Sequence, residues 1–198
     1  MRTDATTRSA TRAATKSDER MNVEAVPTVF GADEQHDVPV DVARWVRLAQ
    51  LVLDEERVIE RLGADTEMSL LFVDATTISE LNERFLGGSG PTDVLAFPID
   101  DELPPSGRQP DQGGRGPGAP ADPADPPTLL GDVVVCPAVA VRQAEERGVR
   151  PEDELALLVV HGVLHLLDYD HAEPNEGVVM RRREQELLAR FREIEERA

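Results

Sequence analysis

The sequence lacks the features that mark secreted and membrane-inserted proteins. Its single cysteine, Cys136, excludes an internal disulfide. The first twenty residues, MRTDATTRSATRAATKSDER, contain no apolar segment of the kind that a signal peptide needs. The longest apolar run, residues 155–167, is too short to cross a bilayer and carries two histidines, so it predicts a buried helix. We therefore expect a cytoplasmic protein without a membrane partner.

Basic residues are also scarce. The chain has 21 basic and 39 acidic residues, giving a formal net charge of -18, and Lys16 is its only lysine. Such an excess of negative charge predicts high solubility and argues against non-specific nucleic-acid binding through bulk charge. Binding of RNA by counterion release would need a local basic surface. With 198 residues and 40% apolar content, the chain can form one ordinary domain with a substantial core.

Two segments lack the apolar periodicity of a packed core. Residues 1–20 are rich in Thr, Ala, Arg and Ser and are predicted to form a disordered tail. Residues 100–128 are dense in Pro, Gly and Asp and predict a long, disordered surface loop. The segment before the loop is too small to be a domain of its own, so residues 21–198 are predicted to form one domain that this loop interrupts.

The rest of the chain alternates short β-type segments with helical ones. Thr76 or Thr77 is expected near the N-cap of the second helix, and Pro137 at the first position of the third. Without regular βαβ units, this order favours an α+β fold with a small mixed sheet packed by helices. The predicted strands are 23–30, 68–73, 93–98 and 130–136, and the predicted helices are 42–62, 76–86, 137–147, 152–167 and 177–196.

Three of the four histidines fall within one stretch, HGVLHLLDYDH at 161–171. His161 and His165 are four residues apart, so both rings project from one helix face and can reach one metal ion. His171 would join them from the loop after the helix. Three neutral imidazoles with an open fourth position are typical of a catalytic zinc site. Two unpaired imidazoles in so apolar a segment would otherwise be costly to bury.

The histidine spacing also matches the zincin pattern H-E-x-x-H-x-x-G-x-x-H. The general-base glutamate of that pattern is replaced here by Gly162. A peptidase of the zincin type would lack its base. The spacing therefore predicts a single zincin-like domain whose chemistry differs from peptide hydrolysis.

The motif resembles that of the YbeY-type endoribonucleases, bacterial rRNA maturation factors, most closely the forms in high-GC Gram-positive bacteria. The resemblance rests on HGVLHLLDYDH at 161–171, PTDVLAFP at 91–98 and LGDVVVCP at 130–137. It implies a compact α+β fold, a three-histidine site usually taken as zinc, and cleavage of single-stranded RNA at the ribosome. It further implies maturation of the 3′ end of the small-subunit rRNA and ribosome quality control, with no role on DNA.

Three positions depart from the family pattern. Asp168 stands where the family usually has Gly, and Asp is among the few residues that tolerate a positive φ. Ala96 replaces a serine. Leu86 stands where the family usually has an arginine, and Arg84 is the nearest replacement, although positions two apart do not share a helix face.

Several further residues allow two interpretations. Asp170 is a candidate catalytic residue that would orient an imidazole through its second nitrogen, or a turn residue at the helix exit. Asp93 would lie near the site, or only lead into a strand. Arg181, Arg182 and Arg183 would contact phosphate or form a solvated helix face. Met180 would pack beneath the metal or belong to the ordinary core. His36 is expected on the surface.

The sequence thus predicts a metal-dependent hydrolase of RNA phosphodiesters, in which His161, His165 and His171 hold the metal and Arg84 offsets developing charge. Attack by water and attack by the RNA 2′-hydroxyl both remain open. A metal-stabilised, non-enzymatic ribosome-binding factor is the main alternative. A metallopeptidase is the other, but it would need a base near Gly162.

Overall fold

The computed structural model describes residues 26–62, 65–99, 127–169 and 174–197. The predicted tail 1–20 and nearly all of the predicted loop 100–128 lie outside these ranges, so both stay predictions. Within the described ranges four strands and six helices follow one another, and a π-helical turn, Asn82–Leu86, extends the third helix. The elements are β1 Thr28–Asp33, α1 Val42–Glu55, α2 Val58–Leu62, β2 Thr66–Phe72, α3 Ala75–Leu81, β3 Val94–Pro98, β4 Thr128–Val135, α4 Pro137–Arg147, α5 Pro151–Leu166 and α6 Pro174–Glu195.

The sheet is mixed and has the order β1-β2-β4-β3. β1 pairs with β2 and β2 with β4 in parallel, whereas β3 runs antiparallel to β4 along one edge. The α+β class with a small mixed sheet is confirmed. One detail differs from expectation, because the helical segment 42–62 connects the parallel pair β1 and β2 and so forms a βαβ crossover.

Helix α5 is the centre of the larger core. It packs against α1, α4 and α6 and against strands β3 and β4. Its apolar sequence follows from this position, because Val159, Val160, Val163 and Leu164 are all fully buried. Acidic residues fill its first turn and Pro151 opens it, which suits both the helix dipole and the missing N–H of proline. The helix that carries the two histidines is thus held on several sides.

Three local predictions need correction. The N-cap of α3 is Asp74, whose side chain accepts the N–H of Thr77 at 2.7 Å, so neither Thr76 nor Thr77 is the cap. The predicted helix 42–62 breaks after Glu55, where Arg57 has a φ of 53°. β1 runs further along the chain than predicted, to Asp33.

No helix among the described residues is long and apolar enough to span a membrane.

Candidate active site

Helix α5 brings His161 and His165 together as the i, i+4 spacing predicts. Their rings lie nearly perpendicular, with centroids 4.5 Å apart, and their Nε2 atoms are separated by 3.1 Å. Two imidazole nitrogens bound to one tetrahedral zinc ion at 2.0–2.1 Å would lie about 3.3 Å apart. One proton or one cation bridges such a separation. His161 is only partly buried, with 28% of its side chain exposed, so the pair is open to solvent.

Glu184 of α6 fixes the orientation of His161. Its Oε1 lies 2.8 Å from Nδ1 of His161, and its side chain is 9% exposed. With the imidazole proton on Nδ1 and donated to this carboxylate, Nε2 would present its lone pair toward His165. Carboxylates hold metal-binding histidines in this way, fixing the tautomer and raising the basicity of the ligand. Sequence reasoning missed Glu184, because nothing local relates it to a histidine 23 residues away.

The third histidine and its neighbour lie beyond the described residues. His171 and Asp170 fall between Tyr169, where the third described range ends, and Pro174, where the fourth begins. Their roles as metal ligand and as catalytic or orienting carboxylate therefore stay predictions. Within the described ranges, no three His, Cys, Asp or Glu side chains are grouped so that they could hold a metal ion.

Gly162 is the point at which α5 comes closest to the sheet. A Cβ at this position would lie 2.5 Å from Cγ1 of Val133 in β4 and 3.1 Å from Cγ2 of Val94 in β3. A side chain here would be directed at the strands, so it could not replace the zincin glutamate without moving the helix. Glycine at this position therefore allows α5 to pack closely on β3 and β4.

Two openings flank His161. The first, which we call the α5–α6 cavity, has a volume of about 230 Å³ and is lined mainly by α5 and α6, including His161, Arg181 and Glu184. The second, the α5–β3 cleft, runs between α5 and the edge strand. It has a volume of about 420 Å³ and is lined by Leu86, Asp93, Val94, Leu95, Ala96, Pro98, His161, Gly162 and His165.

The family arginine position does face the site, but here it is apolar. Leu86 lines the α5–β3 cleft together with both histidines and is 66% exposed. Arg84 lines neither opening. Its guanidinium carbon lies 5.0 Å from the centre of the aromatic ring of Phe85. The structure gives no contact between Arg84 and the histidines, so its catalytic role stays a prediction. Ala96 lies in the cleft, where the family's serine would face the same space.

The three consecutive arginines of α6 have three different environments. Arg183 donates from Nε to Glu56 at 2.5 Å and from a terminal nitrogen to the Glu55 carbonyl at 3.2 Å, so it fastens α6 to the end of α1. Arg182 is 81% exposed and pairs with Glu186 at 3.0 Å along the helix. Arg181 lines the α5–α6 cavity. The solvated-face interpretation fits Arg182, and exposed Arg181 is compatible with either interpretation.

Asp93 and Met180 both lie beside His161. Asp93 lines both openings. Its carboxylate accepts hydrogen bonds from the side-chain amide of Gln143 at 2.9 Å, from the hydroxyl of Thr92 at 3.1 Å and from the N–H of Val94 at 2.8 Å. Burial opposes its ionisation, but these donors outweigh burial and lower its pKa below the ordinary value. Met180 is 1% exposed and forms part of both the core and the cavity wall. His36 is exposed, as expected.

The end of α5 is shaped to lead the chain out toward His171. Asp168 has a φ of 67°, so the position at which the family usually has glycine does adopt a positive φ in this chain. Tyr169 then donates its hydroxyl to Glu56 at 2.9 Å, and the same carboxylate receives Arg183. Burial and the hydrogen bond to Glu56 raise the pKa of Tyr169. The chain is thereby fixed to α1 and α6 two residues before the third predicted ligand.

Comparison with known proteins gives one consistent family. The family model described as Endoribonuclease YbeY matches residues 31–192. A protein from Thermobifida fusca, also named Endoribonuclease YbeY, is 45% identical over 78% of this chain and 88% of its own length. A Salinispora tropica protein of the same name is 45% identical over 84% of this chain and 94% of its own.

A solved structure also resembles the chain. It is a solution structure of a Thermotoga maritima protein, 24% identical in sequence, with a TM-score of 0.49. The match covers 84% of this chain and 89% of the other.

Proposed function

Because the chain belongs to the Endoribonuclease YbeY family, we propose that it is a metal-dependent endoribonuclease that cuts single-stranded RNA. The observation that carries this proposal is the pair of Nε2 atoms 3.1 Å apart, one of them directed by a carboxylate on the opposite ring nitrogen. A histidine pair in ordinary core would need neither feature. The relatives' shared name supports the reaction, and the histidine geometry supports α5 as its location.

His161 and His165 would hold one divalent ion, most consistent with zinc, and His171 would complete the set. When bound, such an ion acts as a Lewis acid that offsets charge on a phosphoryl oxygen. The donors fit this ion, since two neutral imidazole nitrogens already point at one place. Glu184 keeps the proton of His161 on Nδ1 and so leaves Nε2 available.

The two openings give an RNA strand access to the histidines. A phosphodiester that reaches His161 would have the α5–α6 cavity on one side and the α5–β3 cleft on the other. Unpaired RNA is the form whose bases are free to splay apart beside such a site. Gly162, packed on the sheet, leaves no room for a peptidase base, which disfavours the peptidase alternative.

We further propose that the physiological substrate is small-subunit rRNA, with roles in 3′-end maturation and ribosome quality control in the cytoplasm. The support is the motif resemblance and the name shared by the relatives. The net charge of -18 favours delivery of the RNA in a ribosomal setting, where partners can supply basic surface that this chain has only locally.

Cleavage of a labelled single-stranded RNA tests the proposal. The purified protein should cut the RNA, a chelator should stop the reaction, and added zinc should restore it. His171→Ala should cut far more slowly while it unfolds at the same temperature as the wild type, because α5 is unchanged. A variant that cuts as fast as the wild type would show that a contaminating nuclease is responsible. The ribosome-binding factor would then be the better interpretation.

A further inference from the structure

The α5–α6 cavity contains five charged side chains besides His161, and four of them are already engaged. Arg147 donates to the 3% exposed carboxylate of Glu154 at 2.5 Å. Glu184 holds His161, and Asp93 is satisfied by the donors described above. The carboxylates of this cavity are therefore not available to a ligand. The fifth charged side chain is Arg181.

Arg181 makes no ion pair or hydrogen bond to any described residue, unlike the two arginines that follow it. It is exposed, yet it lies on the wall of the same cavity as His161. Leu157, Leu158 and Met180 supply apolar wall beside it. An unengaged guanidinium next to apolar surface suits a nucleotide, because its phosphate is charged and its sugar and base offer uncharged surface.

The α5–β3 cleft has a different lining. No lysine or arginine is among the described residues that line it, and Leu86 stands where the family usually has an arginine. In a chain with a net charge of -18, a phosphate beside the histidines would find an unengaged cation, Arg181, on the wall of the α5–α6 cavity. The positive charge of Arg147 is offset by Glu154, which already pairs with it, so Arg147 would attract a phosphate less strongly than Arg181.

We propose that Arg181 binds a backbone phosphate of the RNA strand beside His161, and that the adjoining apolar wall receives the sugar or the unstacked base of that nucleotide. Arg181 would thus provide the phosphate contact that Leu86 cannot make. The proposal rests on the proposed function, because it assumes an RNA strand at the histidines. On this proposal Arg181 binds substrate, whereas the next two arginines of α6, Arg182 and Arg183, do not.

The salt dependence of RNA binding tests this assignment without relying on cleavage. Anisotropy of a labelled single-stranded oligonucleotide would be measured on ice with metal-loaded protein, and gels would confirm that the RNA stays intact. Arg181→Gln should weaken binding about tenfold at low salt, as expected for one lost charge-assisted contact. It should also reduce the slope of log K against log salt by about 0.7. Arg182→Gln, which removes an equal charge one residue away, should change the slope by much less.

A single uncharged methylphosphonate linkage, moved along the oligonucleotide, sharpens the test. In the wild type one position should weaken binding about tenfold, and in Arg181→Gln that position should no longer matter. Zinc content and thermal unfolding should equal those of the wild type, because Arg181 is exposed and unpaired among the described residues. Equal slopes in both arginine variants, or the same methylphosphonate effect in Arg181→Gln, would overturn the assignment. If the wild type neither binds nor cuts RNA, the proposed function itself fails.

Discussion

The two openings beside His161 differ in what they present to a ligand. The α5–α6 cavity carries Glu184, which holds the imidazole, and Arg181, which is unengaged among the described residues. The α5–β3 cleft is lined mostly by apolar side chains and by the close-packed Gly162. The cavity therefore adds an orienting carboxylate and an unengaged guanidinium to the site, whereas the cleft adds mainly apolar surface.

This difference shows how a strongly acidic protein can still accept a polyanion. Bulk charge is unfavourable at -18, so attraction must come from a few groups at the site. Two arginines of α6 are already paired with carboxylates, Arg183 with Glu56 at the end of α1 and Arg182 with Glu186 one turn along the same helix. An arginine left outside these pairs is free to attract a phosphate, and under the proposal Arg181 sets the opening in which that phosphate would lie.

The largest effect is expected on the side that orients His161. Glu184→Gln keeps an acceptor for Nδ1–H but removes the negative charge, so zinc affinity should fall about 10–100-fold. The zinc affinity of Glu184→Ala should be lower still, because this substitution also removes the acceptor for Nδ1–H. Competition with a chromophoric chelator measures both affinities. Glu186→Gln, on the exposed face of the same helix, is the matched control and should bind zinc like the wild type.

If Glu184→Gln bound zinc as tightly as the wild type, the hydrogen bond to His161 would be a packing feature without influence on the metal. A loss of affinity shared by Glu186→Gln would point to a general effect of helix charge. The orienting role requires that the loss be confined to position 184 and follow the order Glu, Gln, Ala.

A smaller effect is expected from giving the cleft the cation that it lacks. Leu86→Arg should increase the affinity for single-stranded RNA several-fold at low salt and steepen the salt dependence by about 0.7, since one more phosphate is neutralised. Leu86 is 66% exposed, so the longer side chain fits without repacking. Leu129→Arg adds the same charge at a leucine 50% exposed and distant from the histidines. Equal gains in both variants would mean that net charge alone controls binding.

The histidine pair could be predicted because its geometry is local. An i, i+4 spacing fixes the relative direction of two side chains on any helix, whatever surrounds it. The apolar run around His161 and His165 also made the buried position of the helix evident. The positive φ of Asp168 was predictable for the same reason, since it depends on how one helix ends.

Glu184 and Arg181 could not be singled out in this way. Their positions depend on how α6 packs on α5, and the pattern of α6 does not state its rotation about its own axis. Sequence reasoning therefore chose Asp170, the carboxylate nearest along the chain, as the partner of an imidazole. It also treated Arg181, Arg182 and Arg183 alike, although the structure separates them into three environments.

The helix starts and breaks show a similar limit. Asp74 was overlooked as the N-cap because two threonines followed it, and any of the three can cap a helix. The break after Glu55 coincides with Arg57 in a left-handed conformation and with the contacts that Glu56 makes to Tyr169 and Arg183. Such long-range contacts are not visible in the apolar spacing of residues 42–62, which continues across the break.

Metal content tests the central claim, that His161 and His165 bind one ion, most directly. Elemental analysis of the purified wild type should find about one zinc ion per chain. His161→Ala and His165→Ala should each lose stoichiometric zinc, since each removes a nitrogen from a pair only 3.1 Å apart. His36→Ala, which changes an exposed histidine, should keep it. Full zinc content in both α5 variants would contradict the account.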